Sequence, residues 1–126
     1  MAVKKQKILV VEDETALRTM YSLWLKKAGY TVVTAEDGVE GVEKSVHESP
    51  DLVLLDVLLP KKDGFEVLTE IRRNPKTKSL PVVILSSLDQ DFEQKHGLTL
   101  GAMHYLVKTT ISPELLYKTV EDILKK

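Results

Sequence analysis

The chain has 126 residues, of which 43% are hydrophobic and 29% are charged. That length is typical of one domain, and it is enough to bury an ordinary core without a covalent staple. Cysteine is absent, which excludes disulfides, thiolate metal sites and cysteine nucleophiles. The formal charge of −1 argues against a broad basic surface for nucleic acid. No apolar run reaches the roughly 18 residues of a membrane span, and the basic amino end does not have the pattern of a signal peptide.

From these properties we expect one domain over residues 1–126, located in the cytoplasm, with no direct contact to nucleic acid or membrane. Along the chain, short β-branched runs alternate with segments of helical spacing. Five runs predict strands, at residues 8–11, 30–33, 52–55, 82–85 and 105–107. All but the second and the last are apolar throughout, which is typical of strands covered on both faces.

Apolar stripes at helical spacing predict helices between and after these runs. Four stripes are clear: Leu17, Met20, Tyr21, Trp24 and Ala28; Val39, Val42 and Val46; Phe65, Leu68 and Ile71; and Leu116, Val120 and Ile123. The segment between Asp89 and Leu100 has few large apolar residues, and a helix is predicted there mainly because two parallel strands need a crossover. Capping residues also mark the helices: Gly29 as a stop, Ser112 before Pro113, and the pairs Asp37 with Glu40 and Ser87 with Gln90 as capping boxes.

Five strands alternating with five helices predict βαβ units with right-handed crossovers. The expected fold is a three-layer α/β sandwich, a doubly wound (βα)5 parallel sheet of flavodoxin-like type with strand order 2-1-3-4-5. In such a sheet a ligand binds beyond the carboxyl ends of the strands, where the winding reverses. Here that point lies between the first and third strands.

Polar residues follow four of the five predicted strands. Taken singly, most have a simpler interpretation, because an acid or a serine after a strand often caps the next helix. Asp56 is different, since it ends an apolar run and the residues after it lead to Pro60 rather than to a helix. The predicted sheet brings the following side chains to one edge: Glu12 and Asp13, Asp56, Ser86 and Ser87, and Lys108.

Three carboxylates beside one lysine would repel one another. At ~5 Å and an effective dielectric constant of ~20, each pair of like charges costs roughly 3 kcal/mol. All-oxygen ligands with room for water suit a hard divalent cation, and Mg²⁺ bound by a few carboxylates and a phosphate fits best. With the cation present, Asp56 could act as a nucleophile towards a phosphoryl donor, with Lys108 and a Ser86 hydroxyl contacting the phosphoryl oxygens.

Several stretches, in order, resemble the receiver domain of two-component response regulators of the single-domain chemotaxis type. The resemblance runs from the first strand to the last helix, and its strongest pieces are residues 8–14, 50–56, 59–65, 81–87 and 101–108. It implies a role for each matching residue: phosphoacceptor, Asp56; direct Mg²⁺ ligand, Asp13; acid acting through water, Glu12; backbone carbonyl ligand, Leu58; phosphate-binding lysine, Lys108; switch hydroxyl, Ser86; switch aromatic, Tyr105.

The resemblance also implies partners. A histidine kinase, a phosphotransfer protein or a small phosphodonor would supply the phosphoryl group, and a downstream effector or an output domain outside this chain would respond. The face formed by the fourth helix, fifth strand and fifth helix would be remodelled. Such a chain is a phosphorylated switch and not an enzyme that turns over an external substrate.

Two positions depart from the family pattern. Thr109 stands where a proline usually follows the lysine through a cis bond, so the loop carrying Lys108 is expected to be strained or differently shaped. Leu58, two residues after Asp56, is expected to overhang the phosphoryl group and slow its hydrolysis by water.

Three other interpretations stay open. A dehalogenase-like phosphohydrolase would need an aspartate where Leu58 stands, and a flavin-binding module would need a Ser, Thr and Gly cradle in place of Glu12-Asp13-Glu14. A pseudo-receiver, which docks proteins without being phosphorylated, is the stronger alternative, although only Thr109 favours it.

Overall fold

The computed structural model describes residues 5–125 and confirms the α/β class. Strands and helices alternate as predicted: β1 (Lys7–Val11), α1 (Thr15–Lys27), β2 (Thr31–Ala35), α2 (Gly38–His47), β3 (Leu52–Leu55), α3 (Gly64–Arg73), β4 (Val82–Ser86), α4 (Asp91–Thr99), β5 (His104–Val107) and α5 (Pro113–Leu124). One parallel sheet has the order β2-β1-β3-β4-β5, which confirms the predicted topology. No helix within residues 5–125 is long and apolar enough to cross a membrane.

Three predicted strands are wholly apolar and two are not, and this difference follows from the position of each strand in the sheet. β1, β3 and β4 occupy the centre and are buried at every position except Lys7, which is half-buried. β2 and β5 form the two edges and are partly exposed. The two predicted strands that were not wholly apolar are therefore the edge strands, because an edge strand keeps contact with water.

Alternate residues of each central strand face two separate helical layers. On one face, Ile8 and Val10 pack against Tyr21 and Leu25 of α1 and Leu116 of α5. The opposite face is covered by α2 and α3, with these buried residues in contact: Leu9, Val11, Leu55, Ile84, Val67, Leu68 and Ile71. α4 lies beside the edge strand β5 on this second face.

The structure corrects one detail of the apolar stripe predicted for α1. Ala28 is exposed at the carboxyl end of the helix, whereas Leu25, outside the predicted stripe, is fully buried. Leu25 lies one turn after Tyr21 on the same face and packs in the same cluster. Ala28 is exposed because it follows Lys27, the last residue of the helix. Gly29 does end the helix, with a φ of +102° that favours glycine.

The amino ends of α4 and α2 also differ from prediction. α4 is not capped by Ser87; it begins after Gln90, whose backbone N–H donates to Glu93 Oε1 at 3.1 Å. At α2, the Asp37 carboxylate accepts the Glu40 N–H as predicted, but Glu40 Oε1 accepts the N–H of Glu36, so the box is only half formed. The predicted cap of α5 is confirmed, because Ser112 Oγ accepts the Leu115 N–H at 3.1 Å.

A close backbone approach fixes the start of α3 beneath the end of β3. A Cβ at Gly64 would overlap the carbonyl oxygen of Asp56 and lie 2.7 Å from the Cα of Val57. Only glycine permits this approach. The helix thereby supports the loop that follows Asp56.

Candidate functional site

Four strand ends meet at the carboxyl edge of the sheet. The register pairs Val11 with Leu55, Leu55 with Ile84, and Ser86 with Val107. Glu12 and Asp56, which directly follow β1 and β3, therefore lie at one level of the sheet, and Lys108, which follows β5, lies further along, beyond the end of β4. These three residues are among the side chains that the sequence predicts for the site.

Three carboxylates form a tight acidic cluster at this edge. Glu12, Asp13 and Asp56 each offer an oxygen, and these oxygens all lie within 4.8 Å of one another. Glu12 and Asp56 are buried, while Asp13 is exposed. The cluster therefore has two buried carboxylates and one that opens to solvent.

Lys108 reaches both buried carboxylates. Its Nζ lies 2.8 Å from Glu12 Oε1 and 2.8 Å from Asp56 Oδ2. Burial lowers the pKa of the Lys108 ammonium, but hydrogen bonds and charges from Asp56 and Glu12 outweigh burial, and the net pKa lies above its usual value. Lys108 therefore stays charged at neutral pH and bridges the two acids.

The two oxygens of Asp56 have different partners. Oδ1 accepts the backbone N–H of Val57 at 2.7 Å and that of Leu58 at 3.4 Å, while Oδ2 accepts from Lys108. These bonds fix the carboxylate in one orientation at the end of β3. Asp56 caps no helix, as the sequence predicts, since α3 begins only at Gly64 with Asp63 as its cap.

Glu12 is held with less electrostatic support. Its Oε2 accepts the backbone N–H of Glu14 at 3.1 Å, and Lys108 contacts Oε1. Burial raises the pKa of the Glu12 carboxyl, and the nearby charge of Asp56 adds to the rise, despite the hydrogen bond from Lys108. Ionisation of Glu12 is therefore less favourable in the site than it is for a carboxyl group in water.

This donor set fits a magnesium ion. Three carboxylates and one ammonium leave two formal negative charges in a small volume, which a divalent cation would neutralise. Mg²⁺ in proteins takes one or two carboxylates, keeps several waters and binds phosphate oxygens as well. The exposed position of Asp13 leaves the cluster open to solvent on that side.

Ser86 and Tyr105 lie next to the acidic cluster. Ser86 is fully buried at the end of β4, and its Oγ accepts the Leu88 N–H at 3.2 Å. The Tyr105 hydroxyl donates to the carbonyl of the same residue, Leu88, at 2.7 Å, and burial raises the pKa of the Tyr105 phenol. Both side chains are thus bonded to the loop between β4 and α4, which connects the site to α4.

The loop after Lys108 takes a different form from the one that a cis bond would give. No peptide bond within residues 5–125 is cis, and residues Lys108–Thr110 form one turn of 3₁₀-helix. Thr109 thus follows Lys108 through a trans bond, and Lys108 still reaches both acids.

Arg18 is a residue at this edge that the sequence did not single out. Its guanidinium contacts the backbone of the two acids after β1. Arginine in the first turns of a helix usually reaches solvent, so residue type alone gave no signal. A cation in the first turn of the helix that follows a pair of strand-end acids is the pattern that could have found it.

Comparisons with known proteins identify the family of this chain. The family model for the response regulator receiver domain matches residues 8–121. The regulatory protein PhoP of Bacillus subtilis, named for alkaline phosphatase synthesis, is 40% identical over 121 residues, which are 96% of this chain and 49% of PhoP. The chain belongs to the response regulator receiver domain family, and it spans about half the length of the curated relatives that it matches.

Solved structures show the same fold. The chemotaxis protein CheY4 of Vibrio cholerae is 34% identical with a TM-score of 0.89, over 96% of this chain and all of that one. The receiver domain of the sensor histidine kinase PA1611 of Pseudomonas aeruginosa is 26% identical, also with a TM-score of 0.89, over 98% of this chain and all of that one. The latter structure has a magnesium ion coordinated in its active site cleft.

Proposed function

We propose that this receiver domain is a switch activated by phosphorylation of Asp56. The observation that supports this most directly is the buried Asp56 carboxylate, fixed by two backbone N–H groups and bridged to Lys108 at 2.8 Å, beside two further acids. A carboxylate that only stabilised the fold would gain nothing from two neighbouring like charges. A group that receives a phosphoryl group needs both a cation at its oxygens and a site for a metal.

The reaction is a transfer of a phosphoryl group to a carboxylate oxygen of Asp56. A bond forms between that oxygen and phosphorus, the bond from phosphorus to the donor's nitrogen or oxygen breaks, and the donor keeps the electron pair. The Lys108 ammonium contacts the phosphoryl oxygens and neutralises part of their charge, and the Ser86 hydroxyl donates a hydrogen bond to one of them. Asp13, Asp56, Glu12 through water and the carbonyl of Leu58 would hold Mg²⁺, which neutralises charge on the transferred group when it is bound.

The response passes through the β4–α4 loop. Ser86 and Tyr105 are both bonded to Leu88 in this loop, so movement of the Ser86 hydroxyl onto the phosphoryl group would take its oxygen away from the Leu88 N–H. Release of that loop frees Tyr105 to turn inward and changes the face formed by α4, β5 and α5. The phosphoryl group thus favours one of two arrangements of the same elements.

The donor would be a histidine kinase, a phosphotransfer protein or a small phosphodonor, and the altered face would control an effector or an output domain. PhoP and the DNA-binding regulator RpaA of Synechocystis are both about twice as long as this chain, which supports such a division of roles. The chain itself would carry one phosphoryl group and lose it by hydrolysis, without turnover of an external substrate.

The test is incubation with acetyl phosphate and Mg²⁺, followed by intact mass measurement. The wild-type chain should gain one phosphoryl group, and EDTA should prevent the gain. Asp56→Ala should gain none, whereas Asp51→Asn, which alters an exposed acid at the opposite end of the sheet, should gain one as the wild type does. Hydrogen exchange of the phosphorylated chain should change in α4, β5 and α5.

Two results would contradict the proposal. A phosphoryl group on Asp56→Ala would show that another residue accepts it. No gain by the wild type would favour the pseudo-receiver, a docking module independent of phosphorylation, for which Thr109 in place of the usual proline is the supporting observation.

A further inference from the structure

The three acids of the site are not held equally well. Asp56 is fixed by two backbone N–H groups and Lys108, and Glu12 by the Glu14 N–H and Lys108. The Asp13 side chain makes no hydrogen bond or ion pair with any residue between 5 and 125. The place of the Asp13 carboxylate is therefore set by its own backbone alone.

Arg18 holds that backbone. Its Nη1 donates to the carbonyl oxygen of Glu12 at 2.9 Å and to that of Asp13 at 3.3 Å. Nη2 lies 3.4 Å from Thr15 Oγ1 and 4.0 Å from Glu36 Oε1 in the loop after β2. The Arg18 side chain is mostly buried, so one planar guanidinium ties the end of β1, the start of α1 and the β2–α2 loop together.

We propose that Arg18 is a positioning residue for the divalent cation site: it orients the peptide units of Glu12 and Asp13 so that the Asp13 carboxylate meets those of Glu12 and Asp56. This inference rests on the proposed function, because it assigns Arg18 to the metal site of that function. Groups that orient metal ligands from outside the coordination shell commonly account for 10–100-fold in metal affinity.

A second role for Arg18 would have the opposite effect on metal affinity. If Arg18 acted only through its charge, it would weaken the attraction of the acids for a cation, and its removal would strengthen Mg²⁺ binding. If it acts by orientation, its removal weakens binding although the site becomes more negative. The sign of the change in affinity therefore separates the two roles.

The experiment measures Mg²⁺ binding by isothermal titration calorimetry on the wild type, Arg18→Gln and Arg18→Lys. We expect Arg18→Gln to raise the Mg²⁺ dissociation constant about tenfold. Arg18→Lys, which keeps the charge but cannot donate to both carbonyls in the same plane, should fall between the two. With acetyl phosphate, the Mg²⁺ concentration for half-maximal phosphorylation should rise in parallel, while the rate at saturating Mg²⁺ stays close to that of the wild type.

Arg73→Gln is the matched control, because Arg73 is an exposed arginine at the carboxyl end of α3 and its loss changes the net charge equally. It should bind Mg²⁺ as the wild type does. Mg²⁺ binding by Arg18→Gln that equals or exceeds the wild type would overturn the inference and leave the proposed function intact. If Arg18→Gln does not fold, wild-type affinity in Arg18→Lys would overturn it instead. A wild type that binds no Mg²⁺ would overturn both.

Discussion

Each end of the sheet has a lysine that contacts two acids, one of them only through its backbone at the amino end, and the two groups of charges differ in exposure. At the carboxyl end, Lys108 bridges Glu12 and Asp56, and the Lys108 and Glu12 side chains are only 16% and 3% exposed. At the amino end, Lys7 pairs with Glu48 at 3.6 Å, and its backbone N–H donates to Asp51. There the Lys7 and Glu48 side chains are 32% and 41% exposed.

The difference separates charges that water solvates from charges that depend on one another. Water solvates the charges of Lys7 and Glu48, so the attraction between them is weak and the protein tolerates its loss. At the carboxyl end the fold places like charges together out of water, where each depends on Lys108 or on a bound cation. Such an arrangement costs stability and is expected where charge has a use.

Loss of the lysine should give the largest contrast between the two ends. Lys108→Met leaves two buried carboxylates without their cation, and we expect the free energy of unfolding to fall by about 2 kcal/mol. This is less than the roughly 3–5 kcal/mol for a fully buried pair, because the site is partly open to water. Lys7→Met should cost under about 1 kcal/mol. Urea unfolding without divalent cations measures both, and equal losses would show that burial does not distinguish the two groups.

Removal of an acid should act in the opposite direction. Because burial and Asp56 raise the pKa of Glu12, ionised Glu12 opposes folding, and Glu12→Gln should stabilise the metal-free chain by about 1 kcal/mol at pH 7. Between the usual and the raised pKa of Glu12, this carboxyl binds a proton in the native state more readily than in the unfolded state, so the contribution of Glu12 to stability rises as the pH falls through this range.

The advantage of Glu12→Gln should therefore shrink as the pH approaches 5. Urea unfolding in EDTA at both pH values measures it, with Glu48→Gln as the control that changes little. A Glu12→Gln variant less stable than the wild type at pH 7 would show that its bond to Lys108 outweighs its burial.

The smallest expected effect concerns the lifetime of the phosphoryl group. Leu58 lies two residues after Asp56 in the loop between β3 and α3, and its side chain is 53% exposed. We propose that it shields phosphorylated Asp56 from water. Leu58→Asn should speed loss of the phosphoryl group severalfold, measured by intact mass over time. Leu23 on α1 is 55% exposed, so Leu23→Asn is a control of equal exposure. Equal decay of Leu58→Asn and the wild type would contradict the shielding role.

The strands of the sheet could be predicted from the sequence because the hydrophobic pattern of a strand depends on how deeply the strand is buried. The apolar runs predicted the central strands, and the structure places the mixed runs of β2 and β5 at the edges. The acids after β1 and β3 and the lysine after β5 could be placed together from topology alone, since parallel strands end at a common edge.

Other features depend on contacts that the pattern does not contain. The start of α4 was missed because Ser87 and Gln90 have the spacing of a capping box, yet the chain turns into the helix three residues later. Arg18 was missed because its partners are backbone carbonyls, which leave no trace in residue types. The shared hydrogen-bond partner of Ser86 and Tyr105, Leu88, could not be read from the sequence either. The roles of these two residues stay predictions.

Helix α4 differs from the other four helices in how little of it is anchored. Gly97 is its one buried residue, lying against Ile84 and Tyr105, and Phe92 at its other end points to solvent. Regions with few packed apolar contacts undergo local opening at low free energy. We therefore expect a helix that loses so few contacts on moving to respond to the few bonds that one small anion would add at the neighbouring loop.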